Sequence, residues 1–157
     1  MVKARILVIA AALGAAGLAS AAWAESKVAP DDVKLTDDLT VPAMLTDSAG
    51  DPAASRAAFL DRKQGNCLAC HMNSDMATEP FHGEVGPPLD GAGSRWEPAQ
   101  IRAIIVNPKK VFGDQTIMPA FYRVSGFNRT GKDFKGETIL TAQQVEDIVA
   151  YITTLKE

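Results

Sequence analysis

The sequence predicts an all-α fold, a small helical domain with long loops that is preceded by an extended N-terminal segment. Apolar residues recur at helical spacing in three short stretches, and two long segments rich in glycine and proline, 72–94 and 111–140, separate them. The 157 residues are 46% hydrophobic and 22% charged, which allows one globular domain and argues against disorder or a fibrous repeat. Three short helices and long loops leave little core, so we expect a large apolar group at the centre.

The N-terminus has the three parts of a secretory signal peptide. Lys3 and Arg5 form a short positive region, residues 6–22 are apolar or small, and Ala22-Trp23-Ala24 ends the stretch with small residues at the cleavage positions. We therefore predict that residues 1–24 are cleaved after Ala24, that the protein is periplasmic, and that the mature chain has no membrane span. An uncleaved membrane anchor is the alternative, although its many alanines and glycines would make it weakly hydrophobic.

Residues 25–50, the N-terminal segment, are acidic and lack a sustained helical stripe. Aspartates alternate loosely with apolar residues, and Pro30 and Pro42 interrupt the run. One interpretation is a solvated tail. The other is a segment that packs on a partner or back on the domain, which we assign to residues 51–157.

The first helix is predicted to begin at Asp51-Pro52 and to end at Gly65. An aspartate followed by a proline suits an N-cap and a first helical position. Ala53, Ala57 and Leu60 share one face of this helix, and we expect that face to be buried.

The second helix is predicted to follow Glu97-Pro98 and to stop ahead of Asn107-Pro108. Its inward residues are Ile101, Ile104 and Ile105. The third helix is the clearest, because Thr141 and Gln144 form a capping box. Apolar residues then follow at helical spacing: Val145, Ile148, Val149, Ile152 and Leu155. In the loop before it, Gly126 and Gly131 favour a short hairpin.

Both cysteines of the chain lie in the motif Cys67-Leu68-Ala69-Cys70-His71, which is the attachment signature of c-type haem. Two thiols three positions apart can add to the two vinyl groups of one porphyrin edge, and His71 is then carried to the iron as an axial ligand. A thioredoxin-like redox pair, a zinc site that includes His82, and a simple disulfide are the alternatives. The motif predicts one covalently attached haem c.

Met118 is predicted to be the second axial ligand. Met72 and Met76 follow His71 too closely for the chain to pass round the haem, whereas Met118 lies 47 residues further on. The proline after Met118 disfavours helix at this residue, so the thioether is presented from an extended loop. His82 is the rival ligand, and the alternative role for Met118 is that of an ordinary core residue.

These motifs together resemble SoxX, a family of monohaem subunits with a class I cytochrome c-like fold. The resemblance covers residues 50–155 and includes these strings: Gly50-Asp51-Pro52, Gly65-Asn66 with the haem motif, Gly86-Pro87-Pro88-Leu89, Gly93-Ser94-Arg95, Asn107-Pro108, and Met118-Pro119-Ala120-Phe121-Tyr122. It implies a heterodimer with a SoxA-type cytochrome subunit, oxidative coupling of thiosulfate to a cysteine of a sulfur-carrier protein, and electron transfer to a downstream cytochrome acceptor. The implied activity is that of an L-cysteine S-thiosulfotransferase.

The resemblance also implies further haem-binding residues. In class I cytochromes c, the carbonyl of the proline next to the glycine accepts the N–H of the axial histidine, and the corresponding residue here is Pro87. Leu89 would pack on the haem face. Arg95 and Trp96 would lie near the propionates, and a solvated arginine and a core tryptophan are the alternatives.

If both cysteines are bound as thioethers, the chain has no thiol left to act as a nucleophile. We therefore expect an electron-accepting subunit with no catalytic residue of its own. The alternatives are a free-standing soluble class I cytochrome c electron shuttle and a gas-binding haem protein, and a firmly bound Met118 argues against the second. No nucleic-acid partner is expected, because residues 25–157 carry 14 basic and 19 acidic residues, a net charge of −5.

Overall fold

Helices supply nearly all the regular structure in the computed structural model, which describes residues 26–132 and 135–157. Within these residues five α-helices follow one another: α1 (Ser55–Leu60), α2 (Ala92–Arg95), α3 (Pro98–Val106), α4 (Pro108–Phe112) and α5 (Ala142–Thr154). Short 3₁₀ turns lie at Pro30–Asp32, Cys67–Ala69 and Ser74–Met76. Within the described residues there is no β-strand, and Ser26 and Thr46 form an isolated bridge. The all-α prediction is confirmed.

The predicted signal peptide and its cleavage site lie outside the described residues. In residues 26–132 and 135–157, no helix is both long enough and apolar enough to cross a membrane.

Helix α5 is the central element of the domain, and α1, α2 and α3 all pack against it. Its start is the predicted capping box, in which the Thr141 hydroxyl accepts from the Gln144 amide at 3.2 Å and the Gln144 side chain accepts from the Thr141 amide at 2.9 Å. The apolar stripe is buried as predicted at Val145, Ile148, Val149 and Ile152. Gly93 allows α2 to approach closely, since a Cβ there would lie 2.5 Å from the Thr153 carbonyl oxygen.

Helix α1 is shorter than predicted and buries a different face. The Asp51 carboxylate accepts from the Ala53 amide at 2.9 Å, but the chain forms a turn before the helix begins at Ser55. The buried side chains are Ser55, Ala58 and Phe59, whereas Ala53 and Ala57 are exposed and Leu60 is half-buried, so the predicted face was wrong. The reason is Phe59, whose ring packs edge-on against the Tyr151 ring with 5.1 Å between the ring centroids. This contact fixes the rotation of the helix.

Helix α3 has the predicted limits, with Ile101 and Ile105 buried and Ile104 half-buried. Two short helices were missed, α2 in the predicted loop 72–94 and α4 directly after Asn107. Elements of four or five residues contain too few positions to show an apolar period. The predicted hairpin was also wrong, because the described residues around Gly126 and Gly131 form bends and irregular chain and no strand. The bend at Gly126 is closed by a side chain, since Arg123 Nη2 donates to the Gly126 carbonyl at 2.9 Å.

The N-terminal segment packs back on the domain, which excludes a solvated tail for residues 26–50. Val41 and Leu45 are buried in the core, and the Val41 amide donates to the Ala99 carbonyl at 3.0 Å. The Lys27 amide donates to the Leu45 carbonyl at 2.8 Å. The segment is therefore a structural part of the helical domain.

A buried ion pair fastens this segment to α3 and α5. Arg102 and Glu146 are 5% and 2% exposed, and two bonds of 2.8 Å join the guanidinium to the two carboxylate oxygens. The remaining contacts reach the N-terminal segment, because Arg102 Nη1 donates to the Val41 carbonyl at 2.8 Å and the Leu45 amide donates to Glu146 Oε1 at 2.9 Å. A buried charge pair is tolerated when its polar atoms are satisfied in this way.

Candidate functional site

The cysteine motif forms a single tight turn after α1. Gly65 passes against α1, where a Cβ would lie 2.6 Å from the Ala58 carbonyl oxygen, and Asn66 adopts a left-handed conformation with φ of 46°. The Cys70 and His71 amides then both donate to the Cys67 carbonyl, at 3.1 and 3.0 Å. This turn keeps the two thiols and the imidazole close together, as the spacing requires.

The imidazole of His71 is oriented by the loop that follows it. Its Nδ1 lies 2.7 Å from the Pro87 carbonyl oxygen. Because a carbonyl can only accept, Nδ1 must carry the proton, and Nε2 is left with its lone pair for a metal. Gly86 lies directly against the ring, since a Cβ there would be 2.4 Å from Cε1. The loop therefore requires glycine at 86 and fixes the tautomer that can act as a ligand.

An apolar cavity of about 40 Å³ adjoins this histidine. Its lining is drawn from α1, α3, α5 and the intervening loops: Phe59, Cys67, His71, Leu89, Ile105, Met118, Phe121, Leu140, Ile148 and Ile152. Cys67, His71, Leu89 and Met118 are thus brought to one cavity. Cys70 is half-buried on the same turn but is not part of the lining.

The thiol of Cys67 is poorly suited to nucleophilic or redox chemistry. Burial raises its pKa from 9.0 to about 12, and the charge of Cys70 adds to the rise while a backbone hydrogen bond opposes it. The thiol is therefore protonated near neutral pH, whereas reactive cysteines have lowered pKa values. Both cysteines are free, so no disulfide joins them.

A thioredoxin-like pair and a zinc site both fit the structure poorly. No strand precedes the cysteine turn in the described part of the chain, as a thioredoxin-like pair would require. Among the same residues, no three histidine, cysteine or acidic side chains are grouped so that they could hold a metal. Two adjacent thiols, one free imidazole nitrogen and an apolar cavity fit a covalently attached haem.

Met118 is presented to the cavity by a loop anchored on α3. The Phe121 amide donates to the Ile105 carbonyl at 3.1 Å, and the Met118 amide donates to the Thr116 hydroxyl at 3.4 Å. The neighbouring Ile117 is 73% exposed, so this loop lies at the surface while its methionine faces inward.

The rival ligands are placed elsewhere. Both ring nitrogens of His82 are engaged, with Nδ1 accepting from the Asn73 amide at 3.2 Å and Nε2 donating to the Met76 carbonyl at 3.1 Å. Met76 is buried in the core outside the cavity lining, and Met72 is 39% exposed. Among the methionines of the described residues, Met118 is the one that lines the cavity.

Arg95 and Trp96 lie outside the cavity lining. The Arg95 guanidinium donates to the Asp90 carbonyl at 2.7 Å and to the Pro88 carbonyl at 3.0 Å, so it braces the loop that carries Pro87 and Leu89. Trp96 packs edge-on against the Phe112 ring with 6.2 Å between the ring centroids. Its side chain is 36% exposed, so it is not a core tryptophan.

Sequence reasoning missed part of the cavity lining. Ile105, Ile148 and Ile152 were predicted to be inward helix positions, but their contact with the cavity depends on how α3 and α5 cross. Phe59 was missed because the wrong face of α1 was predicted. Phe121 lies three residues after Met118, and this proximity was the available signal.

The comparisons with known proteins agree with this geometry. The cytochrome c family profile matches residues 53–156. The crystal structure of SoxXA from P. pantotrophus contains a chain that is 43% identical to this one, with a TM-score of 0.76, and the match covers 83% of this chain and 98% of that chain. No curated protein sequence matches the chain.

Proposed function

This chain belongs to the cytochrome c family and to its SoxX branch, and we propose that it is the periplasmic electron-transfer subunit of a thiosulfate-oxidising enzyme complex. The observation that carries the proposal is the 43% identity to a chain of SoxXA over 83% of the present sequence. The apolar cavity beside the cysteine turn supports it, because a relay subunit needs a buried redox group and no substrate pocket of its own.

Cys67 and Cys70 would hold one haem c through thioether bonds, and His71 and Met118 would ligate its iron. When bound, the haem supplies a reversible one-electron change at its iron. Pro87 keeps His71 in the ligating tautomer, and Leu89 with the helix residues of the lining would exclude water from the bound haem. Thioether ligation favours the reduced iron and raises the potential relative to two histidines.

The reaction requires more than this chain supplies. When the thiolate of a carrier-protein cysteine and the outer sulfur of thiosulfate form a sulfur–sulfur bond, two electrons are released, but a single haem accepts one at a time. With both of its cysteines bound to haem, this chain contributes no nucleophile. The carrier protein therefore supplies the cysteine that is modified, a SoxA-type subunit supplies the active-site cysteine that mediates the coupling, and this chain passes electrons one at a time to a cytochrome acceptor.

The competing function is a free-standing soluble electron shuttle. The N-terminal segment does not distinguish the two functions, because it packs on the domain itself rather than extending toward a partner.

The proposal is tested by following haem reduction in the purified holoprotein after thiosulfate is added. We expect reduction only when the SoxA-type subunit and a carrier protein with an intact cysteine are both present. The matched control is the same mixture with the carrier cysteine replaced by serine, which should leave the haem oxidised. A holoprotein that stays monomeric beside the SoxA-type subunit and is never reduced through thiosulfate would instead favour the shuttle.

A further inference from the structure

The loop that carries Met118 is weakly held by its own residues. Residues 113–119, named here the methionine loop, are exposed or half-buried throughout, and Ile117 is 73% exposed. Thr116 makes two contacts before the methionine, since its hydroxyl accepts from the Met118 amide at 3.4 Å and its carbonyl accepts from Lys109 Nζ. The position of the thioether therefore depends on how the chain is fastened after the loop.

The chain is fastened directly after the methionine loop, at Phe121 and Tyr122. The Phe121 amide donates to the Ile105 carbonyl at 3.1 Å, and the Phe121 carbonyl accepts from the Leu140 amide at 3.0 Å. Tyr122 is 3% exposed, so its ring is packed as firmly as a core side chain. A phenylalanine would fill the same space, which leaves the hydroxyl to be explained.

The Tyr122 hydroxyl is bonded to the start of the N-terminal segment. It donates to the Val28 carbonyl at 2.8 Å and lies 2.6 Å from the Ser26 hydroxyl, 96 residues earlier in the chain. This part of the segment is itself fixed, because the Lys27 and Val28 amides both donate to the carbonyl of the buried Leu45, at 2.8 and 3.2 Å. Ser26, Val28 and Tyr122, named here the latch, thus join a fixed part of the segment to the chain just after the methionine loop.

A second bond lies close to the latch and follows the same path. Ser125 Oγ donates to Asp31 Oδ1 at 2.7 Å, so the segment runs beside the chain that leaves the methionine loop. Both of these residues are exposed, and their bond competes with water. The latch is the contact of this pair that includes a buried side chain.

We propose that Tyr122 is a positioning residue for the second axial ligand, and that the latch keeps Met118 at the cavity that the haem would occupy. This inference rests on the proposed ligation of the iron by Met118. With the latch formed, the chain after the loop is tied both to α3 and to the N-terminal segment. Without it, a larger fraction of molecules has the thioether away from the iron, and that open fraction admits a competing ligand.

The test measures binding of imidazole to the oxidised holoprotein, followed by the loss of the thioether-to-iron band. The apparent affinity for imidazole rises with the fraction of molecules in which the methionine loop is open. Tyr122→Phe keeps the ring and removes the hydroxyl with its two partners. The apparent Kd for imidazole should therefore fall by about tenfold, while the band remains when imidazole is left out.

Tyr151→Phe is the matched control. Tyr151 is also buried, and its hydroxyl also has two partners, but these are Asp75 and the Asn73 side chain, which follow His71 in the chain. Its Kd for imidazole should stay within about twofold of the wild type, although both variants should unfold at a lower denaturant concentration. The comparison separates positioning of the methionine loop from a general loss of stability.

Ser26→Ala weakens the latch from the side of the segment, at an exposed position where the domain should fold normally. Alone it should lower the Kd by about threefold, because the bond from Tyr122 to the Val28 carbonyl remains. Combined with Tyr122→Phe it should add nothing further, since the partner of Ser26 is already missing. A double variant in which the two effects multiply overturns the latch.

The other outcomes separate the latch from the proposed function. A wild-type Kd in both Tyr122→Phe and Ser26→Ala, or an equal fall in Tyr151→Phe, overturns the latch and leaves the proposed function intact. A wild-type holoprotein that lacks the thioether-to-iron band overturns Met118 as a ligand and the latch with it.

Discussion

The two sides of this domain are stabilised in different ways. On one side, here the anchor side, the N-terminal segment crosses α3 and α5 and is fastened by Arg102 and Glu146, whose charges are satisfied by each other and by backbone groups. On the other, the cavity side, loops carrying His71 and Met118 surround an apolar cavity of about 40 Å³. Protein groups alone complete the anchor side, whereas the cavity side has apolar surface that its own side chains do not fill.

This difference indicates what the haem contributes to the fold. The loops of the cavity side lose chain entropy when they become ordered, and burial of apolar surface against a large group offsets that loss. The anchor side needs no such group, because its segment and helices contact each other directly. We therefore expect the two sides to respond differently to loss of haem and to loss of buried charge.

The largest effect is expected from removing both attachment points, with Cys67→Ser and Cys70→Ser combined. This variant should lose covalent haem completely and, with it, cooperative thermal unfolding, because the cavity side loses its apolar centre. Haem staining after denaturing electrophoresis and circular dichroism during heating measure the two properties. The single substitutions are the controls, since one remaining thioether should keep haem in a folded protein. A double variant that melts cooperatively at the wild-type temperature contradicts the comparison between the two sides.

The next effect concerns the anchor side. Glu146→Gln leaves the buried Arg102 charge without its carboxylate partner and should lower the free energy of unfolding by about 3–5 kcal/mol. Haem content and the visible spectrum should stay unchanged, because the ion pair does not line the cavity. Denaturant titration of the holoprotein measures the loss.

An exposed ion pair provides the control for this substitution. Lys27 and Asp47 also form a pair, at 2.7 Å, but their side chains are 57% and 81% exposed. Lys27→Ala should therefore lower the free energy of unfolding by less than about 1 kcal/mol. Equal losses in the two variants would show that burial of the charge is not what makes the anchor side stable.

A smaller, pH-dependent effect is expected from Tyr151, which connects α5 to the chain just after the haem motif. Its hydroxyl donates to Asp75 at 2.8 Å and accepts from the Asn73 side chain at 2.8 Å. Burial raises the pKa of Tyr151 from 10.0 to about 12; the bond from Asn73 opposes the rise and Asp75 adds to it. Since the folded pKa is the higher one, the stabilisation is complete below pH 10 and is lost as the pH rises toward 12.

Tyr151→Phe tests this dependence. The free energy of unfolding of the variant should be about 1 kcal/mol lower near neutral pH, because the hydrogen bonds of the hydroxyl are missing. Above pH 10 it should fall less steeply than that of the wild type. Denaturant titrations at several alkaline pH values measure both quantities. If the free energy of unfolding falls equally steeply with pH in the two proteins, the pKa of Tyr151 does not change on unfolding and this account of its role is wrong.

Local signals in the sequence predicted much of the fold. The Thr141–Gln144 capping box and the apolar stripe defined α5, and Pro98 with Asn107 defined α3, because caps and periodicity act within a few residues. The cysteine turn was predicted for the same reason, since its spacing alone places both thiols on one turn. These features depend on neighbours in the chain.

The features that were missed depend on residues far apart in the sequence. Arg102 is buried only because Glu146 and the Val41 carbonyl lie beside it in the fold. The face of α1 is set by contact between Phe59 and Tyr151, and no pattern within residues 51–65 contains that contact. The engagement of both His82 nitrogens depends in the same way on how the loop folds back on Asn73 and Met76.

Ligation of the iron between His71 and Met118, in a cavity completed by the haem, is the proposal on which the rest depends. The visible spectrum of the oxidised holoprotein tests it most directly, in the wild type, Met118→Ala and His82→Gln. We expect the weak thioether-to-iron band at the red edge of the spectrum in the wild type and in His82→Gln, and its absence in Met118→Ala. A wild-type spectrum without this band, or a band that persists in Met118→Ala, would contradict this ligation.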